Sequence, residues 1–187
     1  MPQNLNYSHA QNKYERLRAI AREVTQETLK SYYQDSGNIV LGDIDDNALA
    51  ASRRWLDMQC SRPRAEWSWD EAAKIYRKRH PNRFELSIWC KGSLCGLSYG
   101  RPSYASTRLR VELIEGAPRV GNPLGPNRVV PITIMNATAY AGIVGAKEIR
   151  IMRPAPSLVS YYESLDFTYV RSSGAEHFPD YLYKVIK

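Results

Sequence analysis

The sequence predicts an α+β fold: a mixed, mostly antiparallel sheet flanked by helices. Three observations carry that expectation. The first third has apolar residues three and four apart, the middle third alternates strictly, and the last third interleaves strand and helix patterns. With 187 residues, 43% of them hydrophobic, the chain has the length of one globular domain and enough apolar content to exclude general disorder. A chain of that size needs neither metal nor disulfide staples.

The elements follow in order. Residues 11–33 place Tyr14, Leu17, Ile20, Val24 and Leu29 at helical spacing with charges between them. Asp35-Ser-Gly-Asn38 interrupts the pattern. Asp45-Asp-Asn47 suits the start of a second helix, over 47–59. Ser68-Trp-Asp-Glu71 matches the capping box and opens a third helix that stops at His80-Pro81. Beyond Pro81 the period becomes two: Phe84, Leu86, Ile88 and Cys90 alternate with Glu85, Ser87 and Trp89. Lys91-Gly-Ser93 turns this strand into a hairpin partner over 94–99, and 107–115 alternates again. A Gly/Pro/Asn loop of about a dozen residues, 116–128, leads into an apolar helix over 130–145. Asn127 or Arg128 is placed to cap that helix, Pro131 fits its first turn, and Gly145 fits its end. A strand at 148–152, a short helix at 157–164 and strands at 167–171 and 181–186 complete the chain.

Composition narrows the setting. Cys60, Cys90 and Cys95, with His9, His80 and His177, stand at no metal-ligand spacing, so no metal site is expected and the cysteines read as free thiols of a reducing cytoplasm. The first 18 residues have no apolar core and do not read as a signal peptide. Residues 129–146 carry no charge, but Pro131, Asn136, Tyr140 and Gly142 mark them as a buried helix and not a membrane span. The expectation is a soluble, cytoplasmic protein.

RLRVELIEG at 108–116, a glycine-containing loop, an apolar helix ending in Tyr140-Ala-Gly-Ile-Val-Gly-Ala-Lys147, the strand EIRIM and then SLVSYYESLDF resemble the GCN5-related N-acetyltransferases, the GNAT family. Tyr162-Glu-Ser-Leu-Asp-Phe167 stands where the family has "Y-E-K-L-G-F", and Gly145-Ala-Lys-Glu-Ile149 matches its "G-A-K-x-I". The resemblance covers 83–187. It implies a domain over 41–187 preceded by an N-terminal helical extension over 1–40.

The resemblance also implies acetyl-CoA as donor and a primary amine as acceptor, on a protein N-terminus, a lysine, an aminoacyl-tRNA or a small molecule. Homodimers are frequent in the family. The backbone of Leu113, Ile114 and Gly116 would pair with the pantetheine arm, and the turn Gly125, Asn127, Arg128, Val129, Val130 would receive the pyrophosphate. A helix N-terminus suits that anion, because unpaired N–H groups and the helix dipole converge there. The family's Q/R-x-x-G-x-G/A reads Gly125-x-x-Arg128-x-Val130, so two glycines are replaced; a turn of altered course would use Gly121 and Gly125.

Acetylating an amine requires positioning, a base for the ammonium proton and an acid for the departing thiolate. By resemblance Tyr162 is the acid, although a tyrosine there also suits packing on the sheet. Glu115, at the strand end where a cleft should open, is preferred as base over Glu112, which shares a face with Arg108 and Arg110; His177 is a third option. The formal charge of +7, with Lys74, Arg77, Lys78, Arg79 and Arg83 around the third helix and Arg53, Arg54, Arg62 and Arg64 just before it, fits either a solvated helical face or attraction of an acidic partner. Trp67, Trp69 and Trp89 are able to stack on bases, but no RNA-binding motif is present, so nucleic acid is not the expected partner. The competing expectation is a binding module whose cofactor loop has decayed and which acts through the basic face.

Overall fold

The computed structural model describes residues 2–57, 67–119, 122–172 and 179–186. The described residues form five α-helices and seven strands, in the order α1 (Pro2–Tyr32), β1 (Ile39–Gly42), α2 (Asp46–Asp57), α3 (Trp69–Arg79), β2 (Phe84–Cys90), β3 (Ser93–Pro102), β4 (Arg108–Gly116), α4 (Val129–Ile143), β5 (Glu148–Met152), α5 (Val159–Glu163), β6 (Thr168–Val170) and β7 (Tyr181–Val185). The strands form one sheet in the order β1-β2-β3-β4-β5-β7-β6. All neighbours are antiparallel except β4 and β5. The α+β expectation and its mixed, mostly antiparallel sheet hold.

The local signals act as their chemistry dictates. The Glu71 N–H donates to Ser68 Oγ at 3.4 Å, so Ser68 caps the start of α3, and His80 closes it. Asp45 opens α2 by accepting the Ala48 N–H at 2.8 Å. Gly145 stands at φ +80 after α4, which lets the Ala146 N–H reach back to the Ala141 carbonyl at 2.8 Å.

Two features differ from the sequence reading. The first helix starts at Pro2 and not near residue 11, although the polar opening turns carry no apolar rhythm. A four-residue edge strand, β1, also went unpredicted; it lies across the division expected at residue 40.

The two faces of the sheet carry different cores. One face packs Leu109, Val111, Ile149, Ile151 and Leu182 against α4, α5 and the buried stripe Ala21, Leu29 of α1. Asn136 of α4 donates to Thr25 Oγ1 of α1 at 3.0 Å within that layer. The other face packs Leu97 and Tyr99 against α2 and α3, through Trp55, Trp69 and Tyr76. Arg83 is not part of a basic surface: it is 5% exposed and pairs with Glu85 at 2.7 Å, while Arg18 of α1 meets the same carboxylate at 3.2 Å. A buried carboxylate between two guanidiniums pins α1 to β2, because removing any partner would leave an uncompensated charge.

Candidate active site

The site is built where two parallel strands part. The β4–β5 ladder runs from Arg108↔Glu148 to Val111↔Ile151 and goes no further, while β4 stays paired with β3 as far as Gly96↔Gly116. Glu112 is the extra residue of a β-bulge: Val111 faces Gly100, and Leu113 faces Tyr99. A bulge bends its strand and raises the local twist, which turns the end of β4 away from β5. Gly100 permits it, since a Cβ there would lie 2.3 Å from the Arg110 carbonyl oxygen.

Helix α4 begins beside this gap. Its first residue, Val129, packs against Gly96 and Gly116; a Cβ on Gly96 would stand 2.6 Å from Val129 Cγ1. Helix geometry leaves the Val129 and Val130 N–H groups without intrahelical acceptors, and Pro131 has no N–H to leave. Asn127 at φ +60 and Gly125 at φ +78 shape the turn before them. The hydroxyl of Tyr161 donates to the Asn127 carbonyl at 3.3 Å, which brings α5 to the same turn.

Arg128 adds a cation at the helix start, but it already has a partner. It grips Asp35 with contacts of 2.8 and 2.9 Å and lies over the Tyr33 ring, 4.8 Å from its centroid. The Asp35 carboxyl is held below its ordinary range, chiefly by that bond to Arg128. Of the two residues placed to cap α4, Arg128 is the N-cap: its carbonyl accepts the Ile132 N–H at 3.2 Å, without a side-chain capping bond.

The two carboxylates on β4 have different surroundings. Glu112 is clamped: Tyr76 donates its hydroxyl to it, Arg101 Nε approaches both oxygens at 3.3 Å, and Arg110 lies 3.2 Å away. Glu115 accepts the indole N–H of Trp69 at 2.6 Å. Trp69 is itself wedged against Tyr99 and Trp67, at ring separations of 6.0 and 6.1 Å, so it fixes Glu115 from a rigid base. Tyr162 is buried against Phe167, and burial drives its phenol pKa well above the ordinary value.

The overall fold recurs in solved acetyltransferases. The chain superposes on Ard1 from Thermoplasma volcanium with a TM-score of 0.57 at 10% identity, over 80% of this chain and 99% of that one. A Desulfovibrio desulfuricans acetyltransferase assigned to the GNAT family gives 0.59 at 11% identity, over 80% and 99%. The fold is that of the GNAT acetyltransferases. PaiA N-acetyltransferase from Thermoplasma acidophilum, solved in complex with coenzyme A, gives 0.52 at 12% identity over 79% and 98%. No protein-family model matches the sequence, and no curated protein matches it.

The expected cofactor residues that the structure describes fall on two neighbouring elements. Leu113, Ile114 and Gly116 form the parted edge of β4, and Gly125, Asn127, Arg128, Val129 and Val130 make the turn into α4. Cys60, Arg62, Arg64, Gly121 and His177 lie outside the described residues. Unpaired first-turn N–H groups beside a guanidinium are a donor set that suits a pyrophosphate. The sequence reading missed three positioning groups, Trp69, Tyr76 and Asp35. Trp69 and Tyr76 stand seven apart on α3, so one helical face carries both, a signal the sequence does hold. Among the described residues no group of His, Cys, Asp and Glu is placed to hold a metal, and no helix is long and apolar enough to cross a membrane. Cys90 and Cys95 are buried free thiols, with Cys95 pushed up to about 11 by burial.

Proposed function

We propose that this chain is an N-acetyltransferase that moves an acetyl group directly from acetyl-CoA to a primary amine. The observation that carries the reading is the parting of β4 from β5 beside the α4 N-terminus, with a carboxylate and a phenol supplied from the surrounding elements. The coenzyme A held by PaiA supports the same donor here.

In this reading the edge Leu113–Gly116 pairs with the pantetheine arm as an added strand would. The Val129 and Val130 N–H groups and Arg128 receive the phosphates. Acetyl-CoA brings a thioester, which a neutral amine attacks; the carbon–sulfur bond breaks as the amide forms. Glu115, oriented by Trp69, takes the ammonium proton, and Tyr162 gives its proton to the departing sulfur. Glu112, with three donors already on it, is the weaker candidate base. The buried thiols fit a cytoplasmic setting. The amine belongs to a protein, an aminoacyl-tRNA or a small molecule.

The second reading, a binding module with a decayed cofactor turn, draws on one observation: Arg128 is spent on Asp35 at the position where the resembling family has glycine. Kinetics separate the two. With acetyl-CoA and a panel of peptide, lysine, polyamine and aminoacyl-tRNA amines, the enzyme reading expects turnover of at least one. Tyr162→Phe should then lower kcat while acetyl-CoA binding is preserved. Equal kcat in the variant would remove Tyr162 from the chemistry, and no turnover with any amine would favour the binding module.

A further inference from the structure

A row of three arginines runs straight across the sheet next to the gap. Arg101 of β3 is the register partner of Arg110 of β4, and Arg110 is the partner of Arg150 of β5. Side chains so aligned stand about 4.8 Å apart from strand to strand. Like charges directly opposite one another destabilise a sheet, so such a row opposes folding unless something compensates it. Two carboxylates on the same face compensate in part. Glu112 serves Arg101 and Arg110, and Glu148 serves Arg150 and, at 3.9 Å, Arg108. Four guanidiniums against two carboxylates leave a local excess of two positive charges. Arg110 Nε is, in addition, buried with no hydrogen-bond partner among the described residues.

The face itself is the side of the sheet away from α4. Leu109, Val111, Ile149 and Ile151 point into the core beneath α4, so the arginines alternate to the opposite side. Beyond Arg150 the row continues to Tyr183 of β7, and Arg150 itself lies over the Tyr181 ring, 4.1 Å from its centroid. The row ends one residue before the ladder stops at Val111↔Ile151, so it borders the gap where an amine would meet the thioester.

We propose that this arginine row is the acceptor-recognition surface, and that the acceptor is a peptide whose amino group lies close to acidic side chains. The proposal rests on the acetyltransferase reading above. The excess charge is spread over three strands, about 10 Å across. Carboxylates two residues apart in an extended peptide are separated by about 7 Å and so reach further along the row than one compact phosphate does. Planar guanidiniums suit carboxylates in bidentate geometry. Glu112 and Glu148, interspersed among them, oppose the continuous negative charge of a nucleic-acid backbone and leave room for separated carboxylates. The tyrosines at the far end offer ring surface to the side chains between.

The test uses two peptides with free amino termini and a fluorophore at the carboxyl end, Ala-Glu-Ala-Glu-Ala and Ala-Gln-Ala-Gln-Ala. Their Kd values for the full chain are measured by anisotropy without cofactor. The acidic peptide should bind about tenfold tighter, and the advantage should shrink as salt rises. In Arg101→Gln and in Arg150→Gln the ratio between the two peptides should collapse toward one, with each variant's fold checked by its melt. Equal affinity of the two peptides for the wild-type chain overturns the proposal, as does tighter binding of a phosphoserine peptide or a short oligouridylate. Failure of the underlying reading is seen separately, as the absence of any melting shift with acetyl-CoA. Acidic-peptide binding without that shift would leave the surface and remove the enzyme.

Discussion

Strand β4 changes its role halfway along. From Arg108 to Val111 it is bonded to β3 on one side and β5 on the other, and its side chains alternate between a dry core and an arginine-bearing face. From Glu112 to Gly116 it keeps only the β3 ladder, and the edge facing away from β3 is released beside the start of α4. The two stretches differ by one bulged residue and by Gly100 beside it on β3, not by any change in apolar character. A single extra residue in one strand is enough to convert a structural ladder into an open edge able to take an added chain. The two glutamates mark the division. Glu112, at the bulge, is absorbed into contacts with Tyr76, Arg101 and Arg110, and Glu115, beyond it, is held by an indole at the mouth.

That comparison breaks most sharply if the two glutamates exchange roles. Glu115→Gln should lower kcat by about 10²- to 10⁴-fold, the range for losing a general base, with acetyl-CoA affinity unchanged. Glu112→Gln should instead act on stability, by about 1–3 kcal/mol through its lost charge-assisted bonds, and only mildly on kcat. The reverse pattern in steady-state kinetics and thermal melts would make Glu112 the base.

Next in size is the bulge itself. Gly100→Ala forces a Cβ to within 2.3 Å of a backbone oxygen, so the chain must shift. A loss of about 1–3 kcal/mol is expected, and with it a melting point lower by roughly 2–4 °C per kcal/mol. An unchanged melt would mean that the bulge is not held by this glycine. Arg128→Ala should weaken acetyl-CoA binding by about 1–3 kcal/mol, measured by calorimetry. Unchanged affinity would mean that the turn does not hold the phosphates.

The smallest effect concerns pH. Because Arg128 depresses the Asp35 pKa, the stability gained from that pair is complete above the ordinary aspartate value of 3.8 and is lost as pH falls through the lowered folded value. Wild type and Asp35→Asn should therefore differ in melting point by a constant amount at neutral pH and converge in acid. A difference that grows on acidification would contradict the assignment.

Much of the fold is legible in the sequence because local chemistry states it. The period-two runs of β2 to β4, the Ser68 cap and the Gly145 terminus each act within a few residues. What stays hidden is made by long-range pairing. Strand β1 has four residues and is recognisable only once Ile39 meets Cys90. The bulge at Glu112 exists only in register with Gly100, and alternation alone does not show it. The partners of the site are the same kind of secret: Asp35 lies 93 residues from Arg128, and Trp69 lies 46 from Glu115. Tyr162 and Glu115 were visible as candidates, but their surroundings were not. The arginine row is likewise spread over three strands, and no single segment of sequence contains it.

The central claim is that the gap beside α4 holds acetyl-CoA despite the residues at 128 and 130 that replace glycine. A thermal melt of the full chain with and without acetyl-CoA tests it directly. At a hundred times Kd a bound ligand adds roughly 2.7 kcal/mol, which for a chain of this size raises the melting point by roughly 5–10 °C. Such a rise is the predicted result. An unchanged melt at millimolar acetyl-CoA would contradict the claim and leave an acetyltransferase fold serving as a binding module.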